Sequence, residues 1–540
     1  MLGSNLILFS ILLLATVLRF YQLGQNPPSL NWDETAHGYN AYSILKTGKD
    51  EYGISFPLAF RSFDDYKPPM YTYLVVPSVA IFGLNNFAVR FPSAALGVLA
   101  VLFTYLMVLE LFKNKTIALL SSFFLAISPW HLQFSRVAFE TNSATFWSVL
   151  GTWAFLKGIQ ISNIKTMFWM TLASLSFGAN LFMYHNARVF IPIFSIMLLL
   201  LFKEKLLKLK KYLILPSIVA VVFVALLIPI VTSISGQLRF KGTTIFADVS
   251  PQYAASEKIL QDQRAGQSLV GKIIHNRRFV YVPIIVENYL SHLKPTYLFF
   301  TADMDRHHAP KIGLLYFWDL PFILAGMYLL IRRKFDIKTK IIIFWWFLIA
   351  PVASSVTWGV PHSLRSEIYL PTFQIFCAVG IHYFYKVSKN KVFFNTAVLF
   401  LILNFLFYLH QYYIHMPTEY SKAWLYGRKE ASLFTESVKN NYDRVIVSTK
   451  LEQPHEFWLY YTGYEPEKYL KEGGTVSGGF LEERNKFDKY YFKPIQFESQ
   501  SRQAKTLFVG LPSEFPTEAI ILKKILYLNG EPAIYIAENR

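Results

Sequence analysis

The stretch that decides the fold is LILFSILLLATVLRF (6–20) followed by YQLGQNPPSLNWDE (21–34). The first part is apolar up to Arg19, as a segment entering the hydrocarbon core of a bilayer must be. It lacks a basic leader and a small-residue cleavage site, and so reads as a retained helix rather than a signal peptide. The second part ends in two adjacent carboxylates, Asp33 and Glu34. Acids so close to lipid are costly unless they meet cations, water or a substrate. Pro27 and Pro28 precede them, and the helical pattern ETAHGYNAYSILKT (34–47), stopped by Gly48, follows. Asp33 therefore stands at or near a helix N-terminus, where it is either a plain cap or an ionised carboxylate available to a hydroxyl.

The whole chain agrees with this start. Of 540 residues, 53% are hydrophobic and 16% charged, against roughly 25% charged in soluble domains. The net charge of +18 does not indicate a nucleic-acid partner, because the cations alternate with long apolar runs instead of forming one basic face. The single cysteine, Cys377, lies in an apolar segment. That excludes an intrachain disulfide, argues against a cysteine metal site and predicts a core position.

Apolar segments able to cross a bilayer fall near 4–20, 87–111, 116–130, 137–158, 166–183, 187–202, 212–233, 313–331, 339–357, 366–385 and 391–411. The expectation is an α-helical polytopic membrane protein with about eleven transmembrane helices. Lysine and arginine gather in every second connection: Lys113 and Lys115; Lys157 and Lys165; Lys203 to Lys211; Arg332 to Lys340; Lys386, Lys389 and Lys391. The positive-inside rule makes those connections cytoplasmic. The N-terminus is then inside, while Asp33, Glu34 and the C-terminus lie outside.

Two outer loops are long, 21–86 and 234–312. In the first, 34–47 predicts an amphipathic surface helix. Pro68-Pro69 start a second helix, MYTYLVVPSVAIFG (70–83), bent at Pro77. From 418 the composition becomes that of a soluble domain. Residues 422–441 predict a helix, RVIVST (444–449) a strand, and 525–538 a hairpin turning at Asn529-Gly530. The domains expected are a membrane unit over 1–417 and a small extracytoplasmic α/β unit over 418–540.

Charged residues mark the outer ends of the spans. Lys67, just before the Pro-started helix, suits a phosphate, or snorkels to lipid headgroups. Arg61, Asp64 and Asp65 read as loop solvation. Arg136 and Glu140 are spaced i, i+4, as on one helical face. Arg188 in Tyr184-His-Asn-Ala-Arg188 and Arg365 in His362-Ser-Leu-Arg365 sit at corresponding boundaries. Each alone reads as a headgroup anchor, but together they favour a site for an anionic substrate. Lys67, Arg188 and Arg365 are the candidate phosphate binders, and Arg136, Glu140 and His37 the candidate cavity residues. His37 and Tyr39 read equally as membrane-interface residues. His292, Asp303, Asp305, His307 and His308 offer nitrogen and oxygen ligands for a divalent metal, although their spacing matches no standard site. A solvated loop is the alternative, and no cofactor is implied with certainty.

The acidic pair, Lys67-Pro68-Pro69 and Arg136-Val-Ala-Phe-Glu140, in that order, resemble the polyprenyl-phosphate-sugar-dependent glycosyltransferases of the GT-C fold. These include the protein O-mannosyltransferases and the lipid A aminoarabinose transferases. Asn288-Tyr-Leu-Ser-His292, Tyr297-Leu-Phe-Phe300 and Pro361-His-Ser-Leu-Arg365 extend the resemblance to about residue 415. It implies a polyprenyl-phosphate-linked sugar donor, an acceptor hydroxyl on a protein, lipid or glycan, and inverting transfer at the outer face of the cell membrane. It also implies Asp33 as base with Glu34 as its partner, Lys67 on the lipid phosphate, and Glu140 as the second cavity acid. Where the aminoarabinose transferases have an acid directly before the Lys-Pro-Pro lysine, this chain has Tyr66. The Trp-Trp-Asp signature of oligosaccharyltransferases is absent from the tail. A transporter or flippase for a lipid-linked sugar is the competing reading, and it predicts midplane charges and paired broken helices. A purely structural membrane protein is a third.

Overall fold

The computed structural model describes residues 2–63, 65–387, 391–477, 482–501 and 504–539; Asp64 and Lys389 lie outside the described residues. Each of the eleven apolar segments contains a helix. Among the described residues, five helices are long and apolar enough to cross a membrane: Gly3–Phe20, Asn86–Phe112, Ile214–Thr232, Ile337–Ser355 and Phe394–Glu419. A sixth span arises if the pair Lys115–Ile127 and Pro129–Ser135, bent by 57°, is counted as one. Of the others, Glu140–Gly158 and Ile164–Leu181 run 19 and 18 residues, while several are shorter. The 313–331 segment, for example, forms its helix only over Asp319–Arg332, and 187–202 forms a 15-residue helix containing Pro192. Ile214–Thr232 shows the lipid-facing pattern best, since Pro216 is its one buried residue. A helix with apolar side chains bare all round has bilayer, not water, as its solvent. The chain is a mostly helical, multi-pass membrane protein.

The helices that position the site are α1 (Leu2–Phe20), α2 (Trp32–Thr47), α3 (Met70–Phe82), α4 (Asn86–Phe112), α5 (Lys115–Ile127), α6 (Pro129–Ser135) and α7 (Glu140–Gly158). Gly48 ends α2 in the left-handed conformation (φ 70°), its N–H bonding to the Ile44 carbonyl at 2.9 Å. Pro69 caps α3, and Pro77 lies within it. Between α2 and α3 a short antiparallel hairpin, β1 (Phe60–Ser62) and β2 (Asp65–Lys67), pairs Phe60 with Lys67. Arg136 ends α6 while Glu140 opens α7. The expected i, i+4 helical face across these two residues therefore does not exist.

The tail folds around one six-stranded sheet in the order β4-β5-β3-β6-β8-β7. Its strands are β3 (Arg444–Val447), β4 (Lys486–Phe487), β5 (Tyr490–Phe492), β6 (Thr506–Gly510), β7 (Ile520–Leu526) and β8 (Pro532–Glu538). β3 runs parallel to β5 and β6, and β6, β8 and β7 are antiparallel. Val445, Ile446 and Val447 are fully buried, as continuous apolar runs in a central strand require. The β7–β8 hairpin turns at Asn529-Gly530, with Gly530 at φ 89°.

One expectation for α2 is corrected here. It is not a surface helix: every residue from Glu34 to Ala41 is buried. The Pro454–Thr462 helix of the tail packs over it. A Cβ on Gly38 would lie 2.4 Å from the Tyr460 ring, so only glycine permits this approach. The Tyr39 hydroxyl donates to the Tyr464 carbonyl at 3.1 Å.

Candidate active site

The geometry begins at Asn31. Its side-chain oxygen accepts the backbone N–H groups of Asp33 (2.8 Å) and Glu34 (3.1 Å), while Glu34 Oε2 accepts the Asn31 N–H at 3.1 Å. This capping box satisfies the free donors of the first turn of α2. Asn31, not Asp33, is thus the cap, and the Asp33 carboxylate is free of that task.

Glu34 turns inward. Its carboxylate accepts Arg90 Nε at 2.8 Å, Arg90 Nη2 at 3.1 Å and the Ala138 N–H at 3.1 Å, with both side chains at 0% exposure. Arg90 also donates to the carbonyls of Leu23, Pro27 and Ser29. Arg136, equally buried, donates to Leu18, Arg19 and Asn26 carbonyls and to the Tyr412 hydroxyl at 3.0 Å. A buried guanidinium is tolerable only when its fork is filled in this way. The two arginines therefore pin the chain from Leu18 to Ser29. Glu34 and Arg136, expected beside the reacting groups, are used up in holding the loop.

Asp33 turns the other way. Its side chain is 35% exposed and forms an ion pair with Lys67 Nζ, which the hairpin delivers. Beside them the Arg306 guanidinium lies 4.7 Å from the Trp32 ring centre. Burial pushes the Asp33 carboxyl up, but Lys67, Arg306 and His37 together hold it below the usual carboxylate range. One turn along α2, His37 Nδ1 meets Thr72 Oγ1 at 2.8 Å and Nε2 meets Glu140 Oε1 at 3.2 Å. Helices α2, α3 and α7 thus each contribute to one polar patch.

The other expected phosphate binders sit at its edge. Tyr184 is within electrostatic reach of Arg365, Glu140 and Asp33. Arg365 Nη1 donates to Thr357 Oγ1 (2.7 Å) and the Trp358 carbonyl (2.6 Å). Arg188 is one residue further away. Its Nη1 meets His185 Nδ1 at 3.0 Å, and His185 Nε2 meets the Tyr66 carbonyl at 3.2 Å.

The expected metal set is divided by the fold. Asp303 and His307 come together with His362, which sequence spacing did not include, and one ligand atom from each lies within 4.8 Å of the others. His307 Nδ1 is 3.0 Å from Asp303 Oδ2, and Ser363 donates through both N–H (3.1 Å) and Oγ (2.5 Å) to the same carboxylate. Burial, with His307 and Arg365 adding to it, pushes the His362 ring down to about 3, which keeps the ring neutral. His292 is not one of the three, with Nδ1 on the Asn288 carbonyl at 2.8 Å and Nε2 meeting Ser354 Oγ at 2.8 Å and the His362 N–H at 3.4 Å. His308 Nδ1 bonds to the Ala309 and Ile312 carbonyls, and Asp305 is exposed outside the cluster. The turn is anchored by Gln133, which donates to the Arg306 carbonyl at 2.7 Å.

Sequence reasoning missed Arg90 and Arg306. Arg90 had a signal, a charge within an otherwise apolar helix, which is expensive unless paired. Arg306 had none, because only the fold carries its turn to Trp32.

Residues 66–231 match the family model described as dolichyl-phosphate-mannose-protein mannosyltransferase. Over 160 residues the chain is 29% identical to YkcB of Bacillus subtilis (strain 168), covering 29% of this chain and 21% of that one. The chain matches under a third of the length of the curated relatives it resembles. Two solved structures share its fold. ArnT from Cupriavidus metallidurans bound to undecaprenyl phosphate aligns with 100% of this chain and 98% of that one, at TM-score 0.52 and 12% identity. The Archaeoglobus fulgidus oligosaccharyltransferase tethered with an acceptor peptide aligns with 86% and 63%, at TM-score 0.51 and 15% identity. The chain thus shares the GT-C fold of these membrane transferases, and its residues 66–231, which include Lys67, Arg136, Glu140 and Arg188, match a mannosyltransferase family domain.

Proposed function

We propose that this protein is an inverting glycosyltransferase that moves a sugar from a polyprenyl-phosphate donor to an acceptor hydroxyl at the outer face of the membrane. The observation that carries this reading is the Asp33–Lys67 ion pair at an accessible mouth, backed by the His37–Glu140 contact. It stands on a fold shared with a transferase that binds undecaprenyl phosphate.

The pair suggests an order of events. In the resting site Lys67 neutralises Asp33. An arriving lipid phosphate competes for Lys67, and as the ammonium turns to it the carboxylate becomes free. Asp33 then takes the proton of the acceptor hydroxyl as that oxygen attacks the anomeric carbon. The bond from the sugar to the phosphate oxygen breaks, and Lys67, with Arg365 at the edge, stabilises the departing lipid phosphate. One displacement inverts the anomeric carbon. Glu140 and His37 bound the cavity, while Glu34 and Arg136 hold the loop that presents Asp33.

The residues Asp303, His307 and His362 fit a divalent cation, because His362 Nδ1 is buried without a hydrogen-bond partner among the described residues. A bound ion would supply positive charge at the turn that carries Arg306. No step above depends on it.

In this reading the chain crosses the membrane about eleven times. Its lysine-rich connections and N-terminus are cytoplasmic, and the tail from 418 is an extracytoplasmic domain. The acceptor is a protein, lipid or glycan hydroxyl. A detergent-solubilised preparation given a radiolabelled polyprenyl-phosphate sugar and a mixed acceptor fraction tests the proposal. Label moving to acceptor supports it. Binding or movement of the intact donor without cleavage would identify a flippase instead.

A further inference from the structure

A second polar cluster lies where the first outer loop meets the tail. Glu51 follows the end of α2, and His455 and Glu456 stand in the first turn of the Pro454–Thr462 helix. All three are buried, at 0%, 0% and 1% exposure. One ligand atom from each lies within 4.8 Å of the other two.

Acids alone would not make this a site, but the imidazole among them points to a ligand. Neither ring nitrogen of His455 has a hydrogen-bond partner among the described residues, nor does Glu456 Oε2. The nearest approach is His455 Nε2 to Glu456 Oε1, at 3.6 Å. Buried polar groups are nearly always paired, so an orphaned imidazole facing two carboxylates calls for a missing partner. Glu51, by contrast, is held as an oriented ligand would be. Asn40 Nδ2 donates to Oε1 at 2.8 Å and Thr475 Oγ1 to Oε2 at 2.7 Å. The Tyr469 and Thr475 hydroxyls meet at 2.8 Å, giving Thr475 a further support. Outer hydrogen bonds of this kind fix carboxylates around metal ions.

Two arrangements would relieve the adjacent charges of Glu51 and Glu456. A shared proton would suffice for the carboxylates, which each place an oxygen within 4.8 Å of the other, but it leaves the imidazole orphaned. The other charged groups that act on the cluster are Asp50, on Glu51, and Lys67 and Asp33, on Glu456. A divalent cation satisfies both acids and the ring together.

We propose that Glu51, His455 and Glu456 form a divalent-cation site that ties the tail domain to the first outer loop. One imidazole and two carboxylates suit an ion of borderline hardness, Zn2+ or Mn2+, with water completing the coordination. The site is separate from Asp303–His307–His362 and shares no residue with it. Its purpose follows from its position. The helix that begins at His455 covers α2 through Tyr460 and Gly38, and α2 carries Asp33. An ion here holds the tail closed over the helix that presents the carboxylate.

The test uses the full chain in detergent and reads metal content rather than activity. After loading with Zn2+ or Mn2+ and exhaustive dialysis, wild type retains one equivalent more per chain than Glu456→Gln. EDTA lowers the thermal unfolding midpoint and speeds proteolytic loss of the tail in wild type, but has little effect on Glu456→Gln, whose amide can donate to Glu51. Equal metal content in the two proteins, with no EDTA effect on wild type, overturns the proposal and leaves a shared proton. Should the variant fail to fold, Co2+ titration of wild type decides the matter by itself. Two bound equivalents, one for each cluster, with EDTA-sensitive unfolding support the site. No more than one equivalent, with the tail indifferent to EDTA, overturns it.

Discussion

Asp33 and Glu34 are neighbours in the chain and opposites in the fold. Glu34 enters a dry knot in which it shares hydrogen bonds with Arg90 and the Ala138 N–H. Asp33 opens into a mouth where Lys67 pairs with it, Arg306 and His37 are within electrostatic reach, and a third of its side chain is accessible. The comparison shows that pairing alone does not make a charge functional. In the knot, every acceptor and donor has a fixed partner, and any change leaves a buried charge exposed to low dielectric. In the mouth, the partner is a single flexible lysine that a phosphate can draw away. The knot supplies rigidity and the mouth uses it.

The comparison can be broken from either side. Asp33→Asn, nearly isosteric, should reduce sugar transfer by roughly 10²–10⁴-fold without moving the unfolding midpoint; near-wild-type transfer would remove Asp33 from the role of base. Glu34→Ala should do the reverse. It should cost about 3–5 kcal/mol of stability by stranding Arg90, visible in a thermal melt, and any loss of transfer should follow the loss of folded protein. A stable but inactive Glu34→Ala would mean that the knot takes part in the chemistry.

Lys67→Met sharpens the contrast through pH. Donor binding should weaken by roughly ten- to a hundredfold, the worth of a charged hydrogen bond. Lys67 is also one of the cations that hold the Asp33 carboxyl down, so its removal lets burial raise that pKa. In wild type the base form survives to a pH below the ordinary carboxylate range, and activity falls only as pH drops through that depressed value. In Lys67→Met the acid limb of the rate profile should move to higher pH. An unmoved limb would show that the titrating group is not Asp33. The smallest effect is expected at the seam above. Gly38→Ala drives a Cβ to within 2.4 Å of Tyr460 and should cost about 1–3 kcal/mol through overpacking, loosening the tail while leaving the mouth chemically intact.

Much of this was legible from the residue order. Each of the eleven apolar runs contains a helix, Gly48 and Pro69 bounded their helices as expected, and Asn529-Gly530 made its turn. The local chemistry of caps, prolines and apolar runs decided these points. The fold brings Asp33 to Lys67, His37 to Glu140 and Asp303 to His307, all residues that the sequence had singled out. The errors share one cause. Arg136 and Glu140 seemed to share a helical face, and α2 seemed to lie on the surface, because sequence spacing assumes a continuous helix with solvent on its polar side. Neither condition held. The chain breaks between Arg136 and Glu140, and a domain more than four hundred residues away in sequence covers α2.

By itself the sequence determined that this is a helical membrane protein, where most of its apolar helices lie, and that a carboxylate and a lysine of the first long loop merit attention. Those properties depend on hydropathy and on contacts a few residues apart, which are written directly in the order of side chains. Only the tertiary structure decided which of two adjacent acids is free. That choice rests on Arg90, Ala138, Lys67 and Arg306, drawn from four separate segments. The field at a carboxylate comes from whatever lies within several ångströms, wherever that stands in the chain.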